Sequence, residues 1–201
     1  MDSSRYLMIA SDLASEFDIA KFQAALGEWR VVISEVFRQP RPDTHRQIAK
    51  EKILRYLDLQ FERAASWTAP EADLLALIVR RLIELRFWTK YVEDEKQAEA
   101  FVYEAGIDAR QVSEVFEKAY PNGRPVKAPE FPEGKRVILT RESEEEELLW
   151  KLSTKFVHSS SMAVIWAKDA KVNATYQHMF SVQILIYGWR IIEMLDSPAA
   201  T

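Results

Sequence analysis

The sequence predicts an all-α, single-domain bundle of many helices, with a proline-rich insert ahead of the last two or three. Three observations carry this expectation. The 201 residues are 48% hydrophobic, enough for one substantial core spanning 1–201. The 5 glycines and 8 prolines gather where helical patterns stop. Between those breaks, apolar residues recur at spacings of three and four, with no fixed-period repeat among them.

The first helix is expected over about Ser15 to Arg38, with Phe17, Ile19, Phe22, Leu26, Trp29, Ile33 and Phe37 at mostly helical spacing. It ends at "RQPRPDT", because Pro40 and Pro42 cannot donate into a helix and restrict the residues before them. Asp43 or Thr44 then caps a second helix that runs to about Trp67, with Ile48, Leu54, Leu57 and Phe61 turned inward. Thr68, Pro70 and Glu71 signal the start of a third, ending near Glu93. A short helix from Glu95 to Ala105 stops at Gly106, and Asp108 caps another to Tyr120.

From 121 to 142 the pattern changes to "PNGRPVKAPEFPEGKRVILTRE", a loop or flap longer than ordinary helix connections. Within it, "RVILT" (136–140) has the composition of one short strand. Ser143 followed by four glutamates opens the next helix: a hydroxyl cap and first-turn carboxylates both suit the helix dipole. That structural reading outweighs a metal site. A final, largely buried helix is expected from Asn173 to Leu195, with Gly188 admitting close helix approach.

Composition excludes several functions. Basic and acidic residues, 27 against 31, are interspersed, so no basic stripe supports nucleic acid as a partner. With no cysteine, thiol catalysis and cysteine-held metals are ruled out. The start, "MDSSRYLMIASDLASEF", lacks the apolar run of a secretory signal. "MFSVQILIYGW" (179–189) is about half a bilayer span, so a cytoplasmic protein without membrane contact is expected. No Gly-x-Ser-x-Gly elbow or phosphate-cradling loop occurs, and no cofactor is expected.

Chemistry is sought where polar groups interrupt apolar helices, because burying them unpaired is costly. In "ADLLALIVRRLIELRFWTKY" (72–91), Arg80 and Glu84 share a face, while Arg81 and Arg86 point elsewhere. A helix apolar nearly all round is central, so at least one of these charges is expected to be buried and paired. The structural reading is an internal pair or snorkelling arginines; the functional one is a polar pocket. In "LLWKLSTKFVHSSSM" (148–162), His158 falls near a helix end beside Ser159, Ser160 and Ser161. It is either a structural histidine at a C-terminus or an acid–base or ligand-orienting group. Tyr176, Gln177 and Ser181 of the final helix, with Ser159, are the remaining ligand-binding candidates. Their structural reading is satisfaction of neighbouring polar groups.

"RRLIELRFWTKYVED" (80–94) and "WKLSTKFVHSSS" (150–161) together resemble an uncharacterised family of all-helical bacterial proteins, grouped loosely near the HEPN helical bundles. In that family an arginine–glutamate helix precedes a serine/threonine–histidine–serine segment. The resemblance covers about Leu74 to Met162, through Arg80, Glu84 and His158, and implies the fold more than an activity. HEPN ribonucleases pair an arginine with a histidine four to six residues further on to activate an RNA phosphate; Arg38 and His45 have that spacing, across two prolines. The resemblance implies a bacterial or phage defence or stress setting. Three readings follow: a binding or interaction module for an unknown ligand or protein partner, a metal-independent ribonuclease of HEPN type, and a metal hydrolase using His45, His158 and His178. A homo-oligomer is an open expectation, since bundles pair through apolar faces, although no heptad run specifies a coiled coil.

Overall fold

The computed structural model describes residues 8, 10–12, 16, 18–36, 44–66, 71–103, 143–157 and 169–196. The 121–142 insert, the "RVILT" strand and the helix expected after Asp108 lie outside these residues. The described residues form helices and no strand. The helices are α1 (Ile19–Val36), α2 (His45–Ser66), α3 (Ala72–Tyr91), α4 (Glu144–Val157) and α5 (Ala170–Asp196), with a further helical stretch at 95–103. The all-helical bundle read from the sequence is therefore the observed architecture. None of these helices is long and apolar enough to cross a membrane.

Each start has a chemical cause. Asp18 Oδ1 accepts the N–H groups of Ala20 and Lys21 at 2.8 and 3.2 Å, which sets α1 a turn later than the apolar pattern implied. At α2, Thr44 and Gln47 form a reciprocal capping box: each backbone N–H donates to the other's side chain, at 3.3 and 3.2 Å. Thr44, rather than Asp43, thus fills the cap. Glu71 begins α3 without a side-chain cap bond, and Asn173 of α5 compensates by accepting the Ala72 N–H at 3.2 Å. Ser143 Oγ accepts the Glu146 N–H at 3.2 Å, as the hydroxyl cap predicts. Asp169 Oδ1 accepts from Lys171 and Val172, both at 3.0 Å, so α5 starts ahead of the expected Asn173.

Side-chain contacts give the helix directions. Gln23 reaches the Ala65 carbonyl while Arg30 reaches Asp58, so α1 and α2 run antiparallel. Arg81 bonds Gln60 and Arg46 bonds Glu93, which makes α2 and α3 antiparallel. Ala72 meets Asn173 and Arg86 meets Tyr187, so α3 and α5 are parallel. Arg86 meets Glu146 and Arg80 meets Trp150, so α4 is antiparallel to α3.

α3 is the central element, packed on α5, α4 and α2. It buries ten residues, from Ala72 to Thr89. On the α1–α2 side, the rings of Trp29 and Phe61 lie 5.5 Å apart and both are fully buried. Gly188 of α5 faces them; a Cβ there would lie 2.7 Å from Phe61 Cε1, so the glycine is what admits this close approach. Beyond α3, Trp88 packs on Phe101 at 5.1 Å and draws 95–103 against the bundle.

Candidate functional site at the α3–α4–α5 seam

Among the described residues, the most deeply buried ion pair joins Arg86 and Glu146. Arg86 lies on the α3 stripe of Val79, Leu82 and Ile83, and is buried along with them. Glu146 is the third residue of α4, one turn ahead of Leu149 and Trp150 on the face that meets the core. Arg86 Nη2 sits 2.6 Å from each carboxylate oxygen, with the two side chains 9% and 4% exposed. In a full capping box the carboxylate at this helix position would turn back to the Ser143 N–H; here it crosses to α3.

Tyr187 of α5 completes the cluster. Its hydroxyl hydrogen-bonds Glu146 and its ring lies 5.9 Å from Arg86 Cζ. Burial, then the nearby Glu146 charge, pushes the phenol up to about 12, so it is a fixed proton donor at neutral pH. Two cations stand at the rim. Arg190 Cζ lies 5.8 Å from the Tyr187 ring. The Lys90 amine is pushed below its ordinary value, first by burial and then by repulsion from Arg86, with Glu146 opposing. The walls of this seam are therefore basic and phenolic, suited to holding a carboxylate.

Two further contacts continue it along α4. The Arg80 guanidinium lies 4.7 Å from the Trp150 ring, a cation–π contact. Phe156 enters between Tyr176 and Phe180 with centroid distances of 4.7 and 5.4 Å, both edge-on. The face of α3 and α5 that receives α4 thus has three sub-sites, for Glu146, Trp150 and Phe156.

The sequence-predicted residues distribute unevenly over this arrangement. Arg80 and Glu84 do share a face and pair, but loosely, at 3.6 Å with side chains 24% and 46% exposed. The buried, paired charge expected on this helix is Arg86, because its position follows the apolar stripe and Glu146 meets it. His158 and Ser159 lie outside the described residues. Ser153 and Thr154 both donate back to the Trp150 carbonyl, at 3.0 and 2.7 Å. Tyr176 forms part of the Phe156 cleft, and Gln177 is half-buried beside it in sequence. Ser181 is fully buried, and its hydroxyl finds no hydrogen-bond partner among the described residues.

His45 has a structural occupation. Glu95 caps α2 from outside, accepting the His45 and Arg46 N–H groups at 2.9 and 3.3 Å. The same carboxylate lies 3.4 Å from His45 Nδ1, and the imidazole is 6.0 Å from the Tyr103 ring. Glu93 reinforces the corner through Arg46 and Lys50, at 2.6 and 3.0 Å. Arg38, its proposed partner in the ribonuclease reading, lies outside the described residues. His178 sits in the first half of α5, level with the first half of α3, whereas His45 lies beyond the other end of α3. At about 1.5 Å per residue this places them roughly 20 Å apart, too far to ligate one ion with bonds of about 2 Å. Among the described residues, no group of three or more histidine or acidic side chains is placed to hold a metal ion.

Glu146, Arg86 and Tyr187 were missed as site residues, yet a signal existed for the first two. Arg86 falls three and four residues after Ile83 and Leu82, and Glu146 falls three and four before Leu149 and Trp150. Each charge therefore extends an apolar stripe by one turn. Comparison with known protein families, with curated proteins and with solved structures finds no match for this chain.

Proposed function

We propose that the protein is a helical interaction module whose binding surface is the α3–α5 face now covered by α4. The observation that carries this reading is the recessed Arg86–Tyr187 pair, which takes a carboxylate delivered by an amphipathic helix. Burying such an ion pair brings little net stability, because desolvation offsets the attraction; its effect is to specify which helix docks and in what register. The chemistry of the face defines the partner: a helix with a carboxylate, an indole four residues later and a phenyl ring ten residues later.

α4 buries the fewest residues of the five helices: Glu146, Ser153 and Phe156, against ten in α3, with Leu149, Trp150 and Leu152 partly buried against the core. Burying one phenylalanine contributes about 1.5–3 kcal/mol. A helix of 14 residues is marginal on its own. Release of α4 on this reading costs less than opening the α1–α2–α3–α5 core, and it uncovers Arg86 and Tyr187.

The test uses a fluorescent peptide with the sequence of residues 143–157 and the full chain carrying Glu146→Ala, which loosens α4 in place. Saturable binding is expected by anisotropy, at least tenfold weaker when the peptide also lacks its glutamate carboxylate. If the native peptide fails to bind the loosened chain, the α3–α5 face is not a docking surface.

A further inference from the structure

The pairing of Arg30 with Asp58 shows which side chains of α1 and α2 look away from the core. These two residues point at each other across an antiparallel pair, so on right-handed helices the residues before them turn to one side and the residues after them to the other. Trp29 and Leu57, one position earlier, are fully buried; Val31 and Leu59, one position later, are 58% and 38% exposed. Val31 therefore shares an outward stripe with Ala24 and Gly27 on α1, and Leu59 shares one with Lys52, Tyr56 and Arg63 on α2, all of them exposed. Across this face the charges divide. The outer edge of α1 carries Glu28 and Glu35, and the outer edge of α2 carries Lys52 and Arg63. Nearer the middle the charges are matched within the chain, Arg30 with Asp58 and Glu62, and Arg55 with Glu51. Among the described residues, no ion pair engages Glu35, Lys52 or Arg63.

We infer that two copies of the chain pair through this face about a two-fold axis parallel to the helices, independently of the α3–α5 surface. Such an axis lays α1 of one copy over α2 of the other and leaves every residue at its own level along the bundle. Gln23 with Ala65 and Arg30 with Asp58 fix those levels: Val31 stands opposite Leu57, Glu35 opposite Ile53 and Glu28 opposite Gln60. In the pair, Glu35 of one copy comes beside Lys52 of the other, and Glu28 comes within one turn of Arg63. Val31 comes over Tyr56 and Leu59, and Leu59 over Gly27, where an added Cβ would meet nothing within 4 Å. Each contact occurs twice.

The division of charge favours a second copy over other occupants. An acidic edge beside a basic one matches a rotated copy of the same face, whereas an anionic membrane or a nucleic acid presents one sign of charge throughout. The face measures about 27 Å by 20 Å, or roughly 500 Å² per copy, toward the lower end of specific interfaces, so the pair is a reversible one.

Sedimentation of the full chain from micromolar to millimolar concentration is expected to show reversible conversion from 23.3 kDa to twice that mass. Glu35→Lys sets two ammonium groups together at both symmetry-related sites, and Lys52→Glu sets two carboxylates together. Either variant alone is expected to associate about tenfold more weakly. An equimolar mixture restores an opposite-charge contact at both sites and should recover the wild-type association as a one-to-one species. Gly27→Gln puts a side chain into the space that Leu59 of the other copy takes. Because Gly27 is exposed and is replaced by a better helix former, the single chain should denature at or above the wild-type midpoint while pairing is lost. One chain mass for the wild type at every concentration overturns the inference. So does a pair that Gly27→Gln leaves intact, or charge variants that associate as the wild type does and gain nothing on mixing, since the contact would then lie on another face. Peptide binding at the α3–α5 face is expected to be unchanged by Gly27→Gln, so the two proposals stand or fall separately.

Discussion

Two single residues hold positions that admit little else. At Gly188, an added methyl group would press into Phe61 at 2.7 Å from Cε1 and meet Trp29 Cζ3 at 3.4 Å. Both rings are fully buried, so accommodating the methyl group requires a shift within a close-packed interior. Gly188→Ala is therefore expected to destabilise the fold by about 1–3 kcal/mol despite the better helix propensity of alanine, as overpacking outweighs a gain of about 1 kcal/mol. Urea denaturation measures this; an unchanged or raised midpoint would show that α5 can move off α2 at no cost. Tyr187 makes the second residue-scale prediction. Its phenol is pushed up to about 12 from an ordinary value of 10.0. The folded state holds this proton more tightly than the unfolded chain does, so the stabilisation is complete below about pH 10 and is lost as pH rises toward 12. Ionising this phenol therefore costs the folded state roughly 2–3 kcal/mol more than it costs the unfolded chain. Tyrosinate absorbance in a pH titration should show a late-ionising contribution that is absent in Tyr187→Phe. A titration curve that Tyr187→Phe leaves unchanged at its alkaline end would contradict the burial of this phenol.

At the scale of elements, the Arg86–Glu146 pair governs how α4 meets α3. Removing either partner leaves a charge in an apolar seam, and Arg86→Met or Glu146→Leu alone is expected to cost about 3–5 kcal/mol. The double substitution removes both charges and should return to within about 1 kcal/mol of the parent, giving a large coupling energy in a double-mutant cycle. Additive losses would mean that the two side chains act independently. The seam also marks where sequence reading stops. Helix positions were legible because prolines 40 and 42, Thr44 with Gln47, and Ser143 with Glu146 are local signals acting within one turn. Which of the four glutamates at 144–147 turns inward was not, because each suits a helix N-terminus equally well and only the partner helix distinguishes them. Arg80 and Glu84 drew notice as neighbours on one helix, whereas Arg86 and Glu146 are separated by sixty positions in sequence. Spacing rules reveal pairs along a helix; pairs between helices need the packing.

For the whole molecule, the uneven burial of α4 predicts uneven stability. The described helices α1, α2, α3 and α5 share one continuous core, from Phe22 and Trp29 through Phe61 and Leu82 to Phe180 and Ile191, and should open together. α4 adds Phe156 and the partly buried Leu149, Trp150 and Leu152 to the edge of that core, together with an ion pair of small net stability. Its amides should therefore exchange through a sub-global opening, about a hundredfold faster than those around Ile83 or Ile184, a gap of roughly 3 kcal/mol. Arg86→Ala should accelerate exchange in α4 further while leaving the α1–α2 amides nearly unchanged, because its ion pair with Glu146 and its contact with the Tyr187 ring join α3 to α4 and α5. Native-state hydrogen exchange reads both effects in one experiment. If α4 amides are as protected as those of α3, then α4 opens only with the entire bundle, and the groove beneath it is core rather than binding surface.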